Sequence, residues 1–271
     1  MEGEVKDYAL TYLSLGAGVQ STALLICSAL GLHGVPRADV AIFADTGDEP
    51  AWVYEHLWKL AEWSPIPIHI AIKGHLSHDV LSKRGRERIV SVPVWTVGTG
   101  ANANGVLRRQ CTREYKIEPI ERHVRRLLGL VPRARIKVRV RCLLGISLDE
   151  CDRMRPSRAH WIDNAFPLID ARLKRRDCER IAVEQFGYAP KKSSCVYCPY
   201  HSDLFWKNLK VEHPEEFERA AHFDDQVRDM SMAGVKRPVY LHRSLIPLRE
   251  IDFGESNRDF FTDECSGTCG V

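Results

Sequence analysis

The stretch Ser14-Leu-Gly-Ala-Gly-Val-Gln-Ser21 decides how this chain is read. Upstream, Tyr8 to Leu13 is rich in apolar and β-favouring residues and predicts a buried strand. Downstream, Gln20 to Leu30 is rich in Ala and Leu and stops at Gly31, which predicts a helix with a glycine C-cap. A strand that passes through Gly-Ala-Gly straight into a helix makes an anion site. Small residues let backbone N–H groups approach phosphate oxygens, and the helix N-terminus adds partial positive charge. Ser21 brings a hydroxyl to the same place. A short glycine motif is equally compatible with a tight turn that holds nothing, so the rest of the chain must decide.

Working outward, Val40 to Ala44 predicts a second buried strand. A helix with Trp52, Leu57 and Leu60 on its apolar side follows, then a strand at Ile66 to Ile72. That β-α-β-α-β order implies a parallel sheet with right-handed crossovers and flanking helices, an α/β fold. Ser91 to Gly105 lacks periodicity and predicts a mobile loop, a lid over the site. Helices are expected at Thr112 to Leu128 (started or interrupted at Pro119), Arg175 to Phe186, His201 to Lys210 and Pro214 to Met232. Ile136 to Ile146 reads as a strand, Pro167 to Asp170 as a short extended segment, and the tail from Pro238 as irregular. The division expected is a nucleotide-binding α/β domain over residues 1–190, then a cysteine-bearing helical segment and tail over 191–271.

Composition sets outer limits. The 271 residues are 44% hydrophobic and 28% charged, those of a globular chain with a sizeable core. No run of about 18 apolar residues predicts a membrane span. The N-terminus lacks a secretory pattern, so a cytoplasmic location is expected. The net charge of +3 excludes nothing, but Arg122 to Arg141 holds eight Arg and Lys against no acidic residue. Its alternation predicts Arg135, Lys137, Arg139 and Arg141 on one strand face, which reads as a solvated surface or a polyanion contact.

Nine cysteines in a reducing compartment call for an account other than disulfides. Cys27 and Cys178, in helical patterns, read as packing. Cys195 and Cys198 form a C-x-x-C, and Cys265 and Cys269 form a C-x-x-x-C near the end. Such clustering favours metal or sulfur chemistry, and four thiolates of this kind suit zinc as well as iron. His160, His201 and His242 have no ligand-like neighbours and read as structural; Phe205 and Trp206 read as packing.

Gly16-Ala-Gly-Val-Gln-Ser21 resembles the PP-loop of ATP pyrophosphatases, the adenine nucleotide α-hydrolase-like superfamily. Its glutamine resembles the phosphoadenylyl-sulfate (PAPS) reductase branch. Further segments fall in that branch's order: Phe43-Ala-Asp-Thr-Gly-Asp-Glu49, Cys111-Thr-Arg-Glu-Tyr-Lys-Ile-Glu-Pro119, Gly145-Ile-Ser-Leu-Asp-Glu-Cys-Asp-Arg153, Pro167-Leu-Ile-Asp170 and Ser194-Cys-Val-Tyr-Cys-Pro199. The resemblance covers about residues 8 to 200. It implies ATP with magnesium at Ser14, Gly16, Ala17, Gly18, Val19, Gln20 and Ser21, with Asp45, Thr46 and Gly145 nearby. Arg108, Arg109, Arg113 and Lys116 are then candidates for holding phosphate or sulfate.

It also implies a [4Fe–4S] cluster, with zinc as the alternative, on Cys111, Cys195 and Cys198. Thr112 stands where cluster-bearing reductases carry a second adjacent cysteine. Cys265 is the first candidate for the fourth ligand; Cys142, Cys151 and Cys269 are others. Glu264-Cys-Ser-Gly-Thr-Cys-Gly270 resembles the reductases' catalytic tail, which makes Cys265 and Cys269 nucleophile candidates.

Three activities remain open at this stage. The first is ATP-dependent, adenylating sulfur transfer to a nucleobase or nucleic acid (tRNA or DNA), served by a cysteine desulfurase or thioredoxin-type donor. The second is sulfonucleotide reduction. The third is a nucleotide- or nucleic-acid-binding module with a structural metal.

Overall fold

The computed structural model describes residues 8–82, 92–97, 104–131, 133–230 and 235–254. Its centre is a five-stranded sheet of β1 (Leu10–Leu15), β2 (Val40–Asp45), β3 (Ile68–Ile72), β6 (Val140–Leu144) and β7 (Ile162–Ala165). The order is β3-β2-β1-β6-β7, and every pairing is parallel. This is the α/β architecture expected. β1 begins two residues later than the apolar run suggested, so Ser14 lies in the strand and pairs with Ile42 and Leu144.

Alternation along the strands divides the core. Leu13, Leu15, Phe43 and Leu143 pack with α1 (Val19–Leu30), α2 (Ala51–Trp63) and α6 (Arg175–Phe186). Tyr12, Ile42, Cys142 and Leu144 face the other way, onto Ile120 and Val124 of α4 (Glu118–Leu127). Leu24 and Leu25 of α1 are fully buried, each contributing about 1.5–3 kcal/mol. α1 and α6 both stop at left-handed glycines, Gly31 and Gly187, with φ of 67° and 78°. Cys27 and Cys178 are both fully buried in the core these helices share.

A second core joins α3 (Leu76–Ser82), α7 (Asp203–Glu212) and α8 (Pro214–Val227) to a small antiparallel sheet of order β5-β4-β8. Those strands are β4 (Trp95–Val97), β5 (Asn104–Val106) and β8 (Val239–Tyr240). They correct two expectations, the loop at 91–105 and the irregular tail. Strands of two or three residues are too short to show a period, and the β8 partner of β4 lies far away in sequence, Trp95 opposite Tyr240. Residues 91 and 98–103 of the expected lid lie outside the described residues.

Three other expectations change. Only residues 140–144 of the 136–146 run are strand, so the basic stripe is not one strand face; Arg139 instead pairs with Asp163 and donates to the His160 carbonyl at 2.6 Å. Pro167–Asp170 is a helical turn, α5, because proline at a helix start loses no hydrogen bond. Thr112–Ile117 is a π-helical turn that leads into α4, with Pro119 in its first turn. No described helix is long and apolar enough to cross a membrane.

Candidate nucleotide site

The chain runs outward from β1 to β2 and β3, then returns to β1's other side as β6 and continues to β7. The connections leaving β1 and β6 therefore diverge and open a crevice at the strands' carboxyl ends. Open parallel sheets bind ligands at this switch point. Here the crevice is a cleft of about 130 Å³ lined by Ser14, Gly16, Gly18, Val19, Gln20, Ser21 and Gly145.

The loop's geometry follows from its small residues. Ala17 is buried and holds a left-handed φ of 56°, a conformation that costs a residue with a Cβ roughly 1–2 kcal/mol. It does not line the cleft but turns the chain beneath it. Gly18 is the N-cap of α1, and the Ser21 hydroxyl bridges its amide and carbonyl, each at 3.2 Å. The helix's first-turn N–H groups lack intrahelical acceptors and carry the positive end of its dipole. Gly145 is needed for a different reason. A Cβ there would stand 2.8 Å from the Ser21 nitrogen and 2.9 Å from its Cα, so only glycine lets β6 end against α1. A Cβ on Gly18 would likewise stand 2.8 Å from Ser193 Oγ, which closes the opposite wall.

Four cationic side chains line this cleft: Lys116, Arg153, Arg175 and Lys192. Arg153 is paired with Glu150, whose other oxygen accepts from Gln20 Nε2 at 2.9 Å, so the loop glutamine is braced to the turn after β6. Arg175 opens α6; its amide donates to Asp149 at 2.9 Å and its Nε to Glu179 at 3.2 Å. Lys116 and Arg153 lie in motifs visible in the sequence. Arg175, Lys192 and Ser193 were missed, because single basic or hydroxyl residues at element junctions carry no spacing signal.

Asp45 and Thr46 do not line the cleft; they serve the next loop. Asp45 Oδ1 accepts from the Gly47 amide and the Tyr54 hydroxyl, both at 2.8 Å. Gly47 has φ of 76° and lies flat against His75. The Asp48 carboxylate accepts from the Ser77 amide at 2.8 Å and its hydroxyl at 2.7 Å, which fixes α3, and the Asp48 carbonyl accepts from Val196 N at 2.9 Å. Thr46 Oγ1 lies 3.3 Å from Cys195 Sγ. This segment thus joins β2 to the cysteine loop.

Lys116 links the two places. Its ammonium lies 3.1 Å from Glu49 Oε1, a carboxylate only 1% exposed. Burial pushes the Cys195 thiol well above its ordinary value, and Glu49 pushes it further. Lys116 and the Thr46 hydrogen bond oppose this, and Cys111 adds to the rise. The C-x-x-C turn is closed by Cys198 N to Cys195 O at 3.0 Å; His201, stacked on Phe205, lies with Nε2 3.0 Å from the Cys195 carbonyl. His201 and Trp206 are buried structural groups, as is His242, whose ring bonds Asp203 at 2.9 Å and Ser244 at 2.7 Å.

Among the described residues, no three His, Cys, Asp or Glu side chains are grouped to hold a metal ion. Cys265 and Cys269 lie outside the described residues. Of the other candidates, Cys142 is buried in β6 and Cys151 is exposed on the turn after it.

Neither a known protein-family model nor a curated protein sequence matches this chain. Among solved structures, it is similar to PAPS reductase from Candida auris, crystallised as a phosphate complex. The identity is 13%, over 69% of this chain and 82% of that one, with a TM-score of 0.42.

Proposed function

We propose that this chain is an adenine-nucleotide-binding enzyme of the PP-loop kind, which activates an acceptor by adenylation for sulfur transfer. The observation that carries the reading is the turn from Gly16 to Ser21 at the N-terminus of α1, set in the switch-point crevice among Lys116, Arg153, Arg175 and Lys192. Glycine amides, a helix dipole and cations converge on one small cleft, the chemistry a polyphosphate needs.

In this reading the loop and the Ser21 region hold the phosphates, while Phe43, Ala44 and Ile146 supply the apolar wall for the adenosine. An oxygen of the acceptor attacks the α-phosphorus. The bond from that phosphorus to the bridging oxygen breaks, and pyrophosphate leaves with the electron pair. Lys116 and the arginines stabilise charge as it grows on the leaving group, the usual means of accelerating phosphoryl transfer. A sulfur nucleophile supplied by a donor protein then displaces AMP from the activated carbon. Lys116 ties this cleft to Glu49 and Cys195, which supports sulfur chemistry next to the nucleotide.

The test is pyrophosphate release from ATP by the full chain with magnesium, with and without RNA or DNA. Acceptor-dependent release supports the reading. Sulfite release from a sulfonucleotide with thioredoxin, and no pyrophosphate, would replace it with reduction.

A further inference from the structure

A second cavity, larger than the first, adjoins the nucleotide cleft. It measures about 820 Å³, within the ~300–1,000 Å³ typical of pockets for small organic ligands. Ser14, Lys116 and Ile120 line both spaces, so bodies filling the two would meet there. Its apolar lining is Tyr12, Ile120 and Ile162, side chains from the far face of the sheet and from α4.

Its polar groups have a definite sign. Arg113, Lys116, Arg155 and Arg158 stand against Glu118 and Glu121. Glu118 is engaged by Arg113 at 3.2 Å and Arg122 at 3.4 Å. Arg155 and Arg158 are exposed on the segment that precedes β7. Arg155 donates to the carbonyls of Asp152 and Met154, both at 2.6 Å, which orients its guanidinium. Arg158 makes no hydrogen bond or ion pair among the described residues. Glu121 is half-buried and likewise has no hydrogen-bond partner among them.

We propose that this second cavity is the acceptor site and takes a nucleotide unit, with its phosphate on Arg155 and Arg158 and its base between Tyr12, Ile120 and Ile162, edge-on to Glu121. The assignment rests on the adenylating reading for its use, but not for its chemistry. An anion needs the two arginines, which are placed at the rim where a phosphate stays hydrated on one side. A planar ring needs the apolar walls, and its polar edge needs the one uncommitted carboxyl inside. Burial, and then Glu118, raise the Glu121 carboxyl above its usual range, against the opposing pull of Arg113. A free nucleotide and a nucleotide within a strand share this chemistry.

The experiment is equilibrium binding to the full chain saturated with α,β-methylene-ATP. The probes are the four ribonucleoside 5′-monophosphates and fluorescein-labelled single-stranded RNA and DNA ten-mers of mixed sequence. At least one probe binds, and the double variant Arg155→Ala/Arg158→Ala weakens it about tenfold or more, the size expected for charged hydrogen bonds to phosphate. Glu121→Ala weakens it severalfold, while the affinity for the ATP analogue moves less than about twofold, since neither change touches that cleft. If a strand is the ligand, the ten-mers bind more tightly than the monomers, and the double variant lowers the salt slope by roughly 0.7, one phosphate contact. Equal affinities identify a free nucleotide. Absence of binding by every probe, or binding unaffected by the double variant, overturns the proposal. Arginine-dependent probe binding by a chain that ignores the ATP analogue would keep this site and remove the adenylating reading. The arginines are exposed, so an unchanged thermal melt is the folding control.

Discussion

The two adjoining spaces beside the sheet are built on opposite principles. In the nucleotide cleft the backbone sets the shape: Gly145 lets β6 abut α1, Gly18 makes room for Ser193, and Ala17 holds a strained φ. In the adjoining cavity long side chains set it, and the rim arginines are exposed to solvent. The difference teaches that one site is specified by what must be absent, a Cβ, and the other by what is present. Substitution should therefore affect them differently: abruptly in the first, gradually in the second.

The sharpest way to break the comparison is Gly145→Val. The added atoms meet Ser21 backbone rather than a movable side chain, so α1 must shift. Affinity for the ATP analogue should fall about a hundredfold, the upper range of an overpacking cost, with a much smaller change for the acceptor probes. Calorimetric titration of both ligands reads the difference.

Acid should separate the regions next. α1 is tethered by Thr22 Oγ1 to His56 Nε2 at 2.9 Å, and His56 Nδ1 lies 2.9 Å from the Tyr188 hydroxyl. Burial, with Lys59 adding to it, lowers the His56 pKa to about 4 from 6.5. The unfolded chain therefore takes up the proton first. Stability is complete above pH 6.5 and is lost as pH falls towards 4, by about 3 kcal/mol in all. Urea midpoints measured from pH 7 to 4 should fall steeply for the native chain and less steeply for His56→Gln. Equal slopes would show that His56 is not the group responsible.

Lys116→Met is a test of what the two spaces share. It removes a cation from both and leaves Glu49 buried without that partner. Both ligands should lose about tenfold in affinity, with a lower Tm. Loss of only one would separate the cavities that Lys116 is said to join.

The smallest effect is expected of Ala17→Gly. Relief of the left-handed strain is offset by the extra freedom of glycine in the unfolded chain, so stability should stay within about 0.5 kcal/mol. A larger loss in a denaturant melt would show that the Ala17 methyl, not its backbone, supports the loop.

What could be read from the sequence divides along the same line. The parallel sheet was legible because β1 is rich in apolar and β-favouring residues and β2 is a buried apolar run from Val40 to Ala44, and α1 and α6 end at left-handed glycines. The turn from β1 into α1 was legible for the same reason: its glycines mark backbone constraints. Lys116, Cys195 and Glu49 could be listed as chemistry-bearing residues, but their meeting depends on contacts such as Val196 to Asp48, which no local pattern encodes. Asp45 and Thr46 sit in a motif legible in the sequence, but the contacts of their side chains, which close the Gly47 turn and touch Cys195, depend on the fold. The small sheet was misread because β4, β5 and β8 are specified by each other rather than by their own sequences.

The most direct test of the central claim is equilibrium titration of the full chain with α,β-methylene-ATP and magnesium, native against Gly145→Val. The account predicts saturable one-to-one binding by the native chain and its near loss in the variant. Binding that is equally strong in both would place the nucleotide elsewhere, and no binding by a folded native chain would contradict the account outright.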